Sequence, residues 1–264
     1  MKFVIRDDDV NYFSTPADIE RWYADMFAEG VPVAFSAIPY VSPASDVYPF
    51  YPKETARVVE EREYPIGDNQ ELVNYMKDNP LIEVLQHGTT HETHDGIYEY
   101  QAPVARKETL RGREELERAF GTSVSLFVPP HDWIGTSGVY SVEAAGQDII
   151  RGRGAGLRNF IPRLAYLFNF LHMLLYKCFH ALTGRVPAYP YVLDFGRHRE
   201  LCSYRLEDAD VFAGLEYAHA KDGIFVVVTH LHFYTEEKKK ILLELIKKGR
   251  ELGAEFVKPS SLFA

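Results

Sequence analysis

Histidines and acidic residues are not spread evenly along this 264-residue chain. They gather at four places, each directly behind a short apolar run. Asp7-Asp8-Asp9 follows residues 3–5, and His87 and His91, with Glu92 and His94 behind them, follow residues 81–86. His131 and Asp132 follow Phe127-Val128-Pro129-Pro130, and His230 and His232 follow residues 224–229. Consecutive carboxylates repel one another and are stable when a cation neutralises them. His87 and His91 stand four apart, which on a helix puts both imidazoles on one face, within reach of a shared metal. The HExxH metalloprotease motif has the same spacing, but Gly88 rather than Glu follows His87, so that motif is absent. An Asp run alone is commonly a solvated turn or cap, and a lone His pair a polar face. Together, two His and one Asp make a ligand set for Zn²⁺ or another divalent cation, with positions left for water and substrate. Such a site activates water for hydrolysis, and a further histidine suits proton transfer near neutral pH.

The elements that must hold these residues read as alternating short strands and amphipathic helices. Strands are predicted at 2–6, 33–38, 81–86, 123–128, 148–151, 224–229 and 255–257. Helices are predicted at 15–30, 68–79, 103–120, 137–145, 208–221 and 235–252. Thr15 and Pro16 open the first helix. Asp68 and Glu71 stand at capping-box spacing for the second, which Pro80 stops. This alternation implies a parallel sheet with helices outside it, and the near-continuous apolar strands imply burial on both faces. The expected fold is α/β, a distorted or incomplete (β/α) barrel in a single domain, with a doubly wound open sheet second. In either fold the reactive residues belong at the C-terminal ends of the strands, where all four clusters fall.

Composition sets outer limits. Twenty-nine Lys and Arg against 38 Asp and Glu give a net charge of −9, which excludes nucleic-acid backbone as a partner. Cys178 and Cys202 make no disulfide framework and no cysteine zinc site. Three acids by residue 9 leave no room for a signal peptide, so a cytoplasmic location is expected.

One segment breaks the pattern, an apolar helical insert at about 153–186. Asn169, His172, Tyr176 and His180 follow steps of three and four and share one helical face, while the rest of the circumference is apolar. It is long enough to span a membrane, but a span here would divide a soluble α/β pattern. A core or dimer-interface helix is the plainer expectation. A lid or peripheral membrane contact through 160–180 is the sharper one.

Asp8-Asp9 after a strand, His87-x-x-x-His91 after another, Phe127-Val128-Pro129-Pro130, and His230 behind a late apolar strand resemble, in that order, the motifs of the polysaccharide deacetylase (NodB-homology) family, in a divergent branch. The resemblance runs from residue 3 to about 232. It implies a distorted (β/α) barrel and removal of an N-acetyl or other acyl group from an amino sugar or sugar conjugate. It implies Asp9, His87 and His91 as ligands of a divalent metal (zinc first; cobalt, nickel or manganese as alternatives). Asp8 becomes the general base and His230 the general acid, with His232 as fallback. Pro129, Pro130, His131 and Trp133 become a wall of the substrate groove, Arg151 and His232 are further expected substrate contacts, and Trp133 and Tyr40 offer sugar-stacking faces. Three departures stand out: Arg6-Asp7 where the family often has Thr-Phe, Gly88 where it often has Ser or Thr, and Val128 where it often has an Arg that orients the base. Arg6 or Arg151 are the candidates to replace that Arg. Two rival readings remain: a phosphoesterase or non-sugar amidase recruiting Asp7, His94, His131 and His232 for a second metal, and a non-catalytic glycan-binding homologue.

Overall fold

The structure, a computed structural model of the chain, describes residues 1–47, 63–101, 103, 106–153, 161, 163–182, 184 and 186–264. Seven strands form its centre: β1 (Lys2–Val10), β2 (Val33–Ala37), β3 (Ile82–His87), β4 (Leu126–Val128), β5 (Asp148–Gly152), β6 (Arg199–Arg205) and β7 (Ile224–His230). Each is parallel to its neighbours, and β6 pairs both β5 and β7, so the ring closes. Among the described residues seven α-helices surround it: α1 (Pro16–Ala28), α2 (Gln70–Asp78), α3 (Arg106–Phe120), α4 (Thr136–Ala145), α5 (Leu164–Leu182), α6 (Val211–Ala220) and α7 (Glu236–Glu251). The expected (β/α) barrel is therefore observed, as a closed seven-stranded one.

Strand parity divides the core in two. Val4, Ala34, Leu85, Leu126, Ile150, Leu201 and Val226, one from each strand, fill the inside of the ring. Phe3, Ile5, Phe35, Ile149 and Val227 point outward and pack beneath the helices. Continuing that alternation puts Arg6 and Asp8 inside with Val4, and Asp7 outside with Ile5. The outward Asp7 is fully buried, accepting hydrogen bonds from Tyr23 Oη, Thr229 Oγ1 (2.8 Å) and Leu231 N (3.1 Å). Burial pushes its carboxyl up to about 8.

The first helix starts as its sequence requires. Thr15 Oγ1 accepts from Asp18 N, and the Asp18 carboxylate accepts from Thr15 N. The cap of α2 is corrected: Asn69, not Asp68, accepts from Leu72 N, because a 3₁₀ turn (Ile66–Asp68) precedes the helix. Strand β6 is not foreseen by apolar pattern, since Arg199-Glu200 opens it with charge. Glu200 is tolerated there, 1% exposed, because Arg151 (2.8 Å) and His198 (3.1 Å) neutralise it.

The polar stripe of the apolar insert faces the protein. Asn169 Nδ2 donates to Asp194 O (2.6 Å), His172 bonds Tyr189 Oη (3.0 Å), Tyr176 Oη donates to Ala188 O (3.3 Å), and His180 bonds Tyr217 Oη (3.1 Å). Among the described residues no helix is long and apolar enough to cross a membrane.

His198 also bonds Glu143 of α4 at 3.1 Å, and Glu143 holds Arg163, just before α5, at 2.6 Å. Burial pulls the imidazole down, but the two carboxylates outweigh it and hold its pKa above the ordinary value of 6.5. A raised histidine pKa stabilises the fold fully below the unfolded value and loses that contribution as pH rises through the folded one. Thermal unfolding should therefore show a stability decrement as pH rises above about 6.5, and His198→Gln should flatten it.

Candidate active site

At the C-terminal mouth of the ring lies a cavity of about 570 Å³. Asp8 reaches it by strand parity and is the register partner of His230 on β7. Asp9 should then point away, but a β-bulge shifts the register between Asp8 and Val10, and Asp9 takes φ 73°. Both aspartates therefore face the same cavity. Six described non-glycine residues have positive φ, and four of them, Asp9, His91, His131 and Asp132, line this cavity. Each such residue costs about 1–3 kcal/mol, so the strain is concentrated where the side chains converge.

His87 and His91 do meet, though not through a helix. His87 ends β3, Gly88 turns at φ 60°, and His91 sits in the following loop at φ 56°, with the two rings 4.8 Å apart. Gly88 is required twice over, by its φ and by space: a Cβ there would lie 2.6 Å from Pro130 Cγ and from Glu99 Oε2. That accounts for this chain's departure from Ser or Thr.

The ligand-type atoms are oriented by their other contacts. His87 Nδ1 lies 3.0 Å from Val128 O, and His91 Nδ1 bonds the Asp46 carboxylate. Both acceptors demand a proton on Nδ1, which leaves the Nε2 lone pairs aimed at Asp9 Oδ1, 3.1 and 3.4 Å away. Three electron-rich atoms facing one another require positive charge between them, and two imidazole nitrogens with a carboxylate fit a divalent cation. A proton on His91 answers the same demand for positive charge where no cation takes those lone pairs. Burial alone would raise Asp9, but His87 and His91 hold it well below the usual carboxylate range. Burial would lower His91, but Asp46 and Asp9 raise it to about 9.

Of the two candidates to stand in for the motif arginine, Arg6 is the one that meets Asp8. It is buried inside the ring, and its guanidinium lies 2.8 Å from Asp8 Oδ2 and 3.5 Å from Asp132 Oδ1. Burial raises the Asp8 pKa, but Arg6, then His87 and His230, bring it below the ordinary value, so Asp8 is an anion. Arg151, the other candidate and an expected substrate contact, is corrected. Its neighbour Ile150 faces the ring interior, so Arg151 faces outward and pairs with Glu200.

His230 and His232 both reach the cavity, with Nε2 atoms 4.0 and 3.6 Å from Asp9 Oδ2. Burial, opposed by Asp9 and reinforced by His230, pushes His232 down to about 4. His131 lines the cavity, stacked on Tyr98 at 3.9 Å and bonded to Asp46 Oδ2 at 2.5 Å. Pro129 and Pro130 are buried supports; Pro130 packs beneath the Gly88 turn. Trp133 lies in an adjoining cavity of about 250 Å³ with Arg153 and Arg205, and the two cavities share His131, Asp132 and Arg205. Tyr40 does not reach the site; Arg111 stacks on it at 4.2 Å. His94 is 70% exposed and bonds Glu92.

Two residues escape sequence reasoning. Asp46 holds His91 across 45 positions, and no local pattern marks it. Glu99 accepts backbone N–H bonds from Thr89, Thr90 and His91 (3.1, 3.2 and 3.0 Å), gathering the histidine loop around one carboxylate. Asp95-Gly96 is a hairpin signal, and it joins the strands Thr93–His94 and Ile97–Tyr98 that fold Glu99 back.

No protein-family model and no curated protein matches the sequence. Solved structures do match. A mutant of a CE4-family pseudoenzyme with restored enzymatic activity superposes over 100% of this chain and 67% of its own, with TM-score 0.54 and 12% identity. The wild-type form, from Bacillus anthracis, gives 0.52 and 12% over 100% and 66%. A family 4 carbohydrate esterase from Streptomyces lividans, in complex with acetate, gives 0.52 and 11% over 99% and 95%. The fold is that of the CE4 polysaccharide deacetylases. This chain spans about two thirds of the length of the Bacillus anthracis protein and nearly all of the Streptomyces one. At 11–12% identity the CE4 likeness establishes architecture, and the side chains above carry the chemistry.

Asp46→Asn should weaken divalent-metal affinity about 10–100-fold, read by chelator competition, because His91 loses its orienting acceptor. Glu99→Ala should do the same and lower the unfolding midpoint, since three backbone N–H groups lose their acceptor.

Proposed function

We propose that this chain is a metal-dependent hydrolase that removes an N-acetyl or other acyl group from an amino sugar or sugar conjugate. The observation that carries the proposal is the pairing of a buried, Arg6-held Asp8 with His230 on the adjacent strand, both beside the Asp9, His87 and His91 donor set. The metal is zinc, with cobalt, nickel or manganese as substitutes. Held by those three residues, it supplies Lewis acidity and a water of lowered pKa. Asp8, kept anionic by Arg6, takes the proton of the attacking water. His230, the register partner of Asp8 on the adjacent strand, gives a proton to the departing nitrogen. His232, neutral in its buried position, is not that donor. The products are acetate (or the corresponding acid) and a free amine. Trp133, half-exposed in the adjoining cavity, offers a face for a neighbouring sugar ring.

The binuclear phosphoesterase loses Asp7, which faces the helices, and His94, which faces the solvent, while Asp46, His91 and His131 form a second group of ligand-type atoms beside the first. A CE4 neighbour described as a pseudoenzyme makes a non-catalytic role the natural alternative. Convergence of base, acid and three ligand-type side chains favours catalysis.

Purified protein with added Zn²⁺ or Co²⁺ should release acetate from an N-acetylglucosamine conjugate. Asp9→Ala and His87→Ala should lose both metal and activity; full activity in either would overturn the ligand assignment. Asp8→Asn and His230→Gln should retain metal while kcat falls about 10²–10⁴-fold. Unchanged kcat in both would remove them from the reaction.

A further inference from the structure

Helix α5 is amphipathic with its faces reversed. Its polar residues bond the protein beneath, and Tyr166 and Met173 are buried. The outward face carries Leu164, Leu167, Phe168, Leu171, Leu175 and Phe179, and continues to Leu182, which is 89% exposed. Exposed from 44% at Leu167 to 89% at Leu182, these side chains form an apolar strip of the kind that marks an interaction surface. The stripe advances by threes and fours over five turns and is wider than a coiled-coil seam, so it presents a broad strip rather than a ridge.

Charge distinguishes the possible occupants. The chain carries −9 overall, yet between Asp148 and Asp194 it has six Arg and Lys and no acid. Acids on other elements pair with three of them: Glu200 with Arg151, Asp208 and Asp210 with Arg153, and Glu143 with Arg163. An anionic surface is repelled by most of this acidic molecule, but the stretch of chain that carries α5 brings it only basic residues of its own. A second copy would bring the same basic stretch and no complementary charge. Exposed tyrosines border the helix, as they do at membrane interfaces. Tyr140 lies under Arg163 (5.0 Å), and Tyr191 lies beside Tyr189, which packs on His172 and Tyr176.

We propose that the outward face of α5 docks this protein on an anionic bilayer, lying in the interface without crossing it. The adjoining cavity of Trp133, Arg153 and Arg205 opens at the C-terminal ends of β5 and β6, the two strands whose connection carries α5. Docking on this flank therefore brings the side entrance of the catalytic cavity toward the headgroups. With the deacetylase reading, on which this step alone rests, the substrate becomes a lipid-linked sugar.

Cosedimentation with phosphatidylcholine vesicles, with and without phosphatidylglycerol, tests the docking. The protein should bind the phosphatidylglycerol vesicles about tenfold or more tightly than the neutral ones, less so at high salt. Phe168→Ser/Leu171→Ser/Leu175→Ser/Phe179→Ser should abolish binding while leaving the circular dichroism spectrum and acetate release from a soluble conjugate unchanged. If that variant does not fold, Leu164→Ser/Leu182→Ser, at the two ends, should reduce binding partially. Vesicle binding by the fourfold variant equal to wild type would overturn the proposal, as would no wild-type binding to either vesicle. A wild-type dimer in light scattering that the same variant dissolves would assign the face to self-association instead. The vesicle-binding and light-scattering readouts that decide the proposal do not depend on turnover, so failure here leaves the deacetylase reading to its own assay.

Discussion

Burying three consecutive aspartates at the end of one strand is the constraint around which this molecule is arranged. Three carboxylates in a low-dielectric interior repel each other and lose their hydration, so each needs its own compensation. Asp7 turns outward and, with its pKa pushed to about 8, keeps a proton while bonded to Tyr23 and Thr229. Asp8 turns inward and stays charged because Arg6, two residues earlier on the same inward face, lies 2.8 Å away. Asp9 is swung into the cavity by a bulge and faces the nitrogens of His87 and His91. One tripeptide thus places one carboxyl in the packing beneath the helices and two in the cavity.

The barrel makes this possible by parity and closure. Parallel strands align their C-terminal ends, so Asp8 and His230 become register partners although 222 residues separate them. Neighbouring groups then fix the histidines. Glu99 gathers the loop that ends in His91, and Asp46 and Val128 O set which ring nitrogen faces Asp9. The positive φ values at Asp9, His91, His131 and Asp132 are strain that the surrounding packing must hold, and their concentration at the mouth follows from asking one small volume to receive so many polar side chains.

The outer flank follows a different logic. Between β5 and β6 a buried chain of Arg151, Glu200, His198, Glu143 and Arg163 ties barrel to helices, and α5 is fastened over the same sector by hydrogen bonds from its polar face. Spending the polar face on the protein leaves the apolar face outward.

The sequence by itself determined the alternation of strands and helices, the clustering of Asp8, Asp9, His87, His91 and His230 at strand ends, and the polar stripe along 169–180. Those features are local, written in apolar period and residue type. Only the tertiary structure decided the rest. Strand β6 hides behind charge because Glu200 is neutralised by partners distant in sequence. Arg6 and not Arg151 holds the base because strand parity puts one inside the ring and the other outside. The His87–His91 pair meets through a left-handed turn rather than a helix because Gly88 must clear Pro130 and Glu99. Asp46 joins the site through a contact no spacing announces. The direction in which α5 turns its apolar face depends on what lies beneath it, and a helical period gives the existence of a face without saying which side meets the protein.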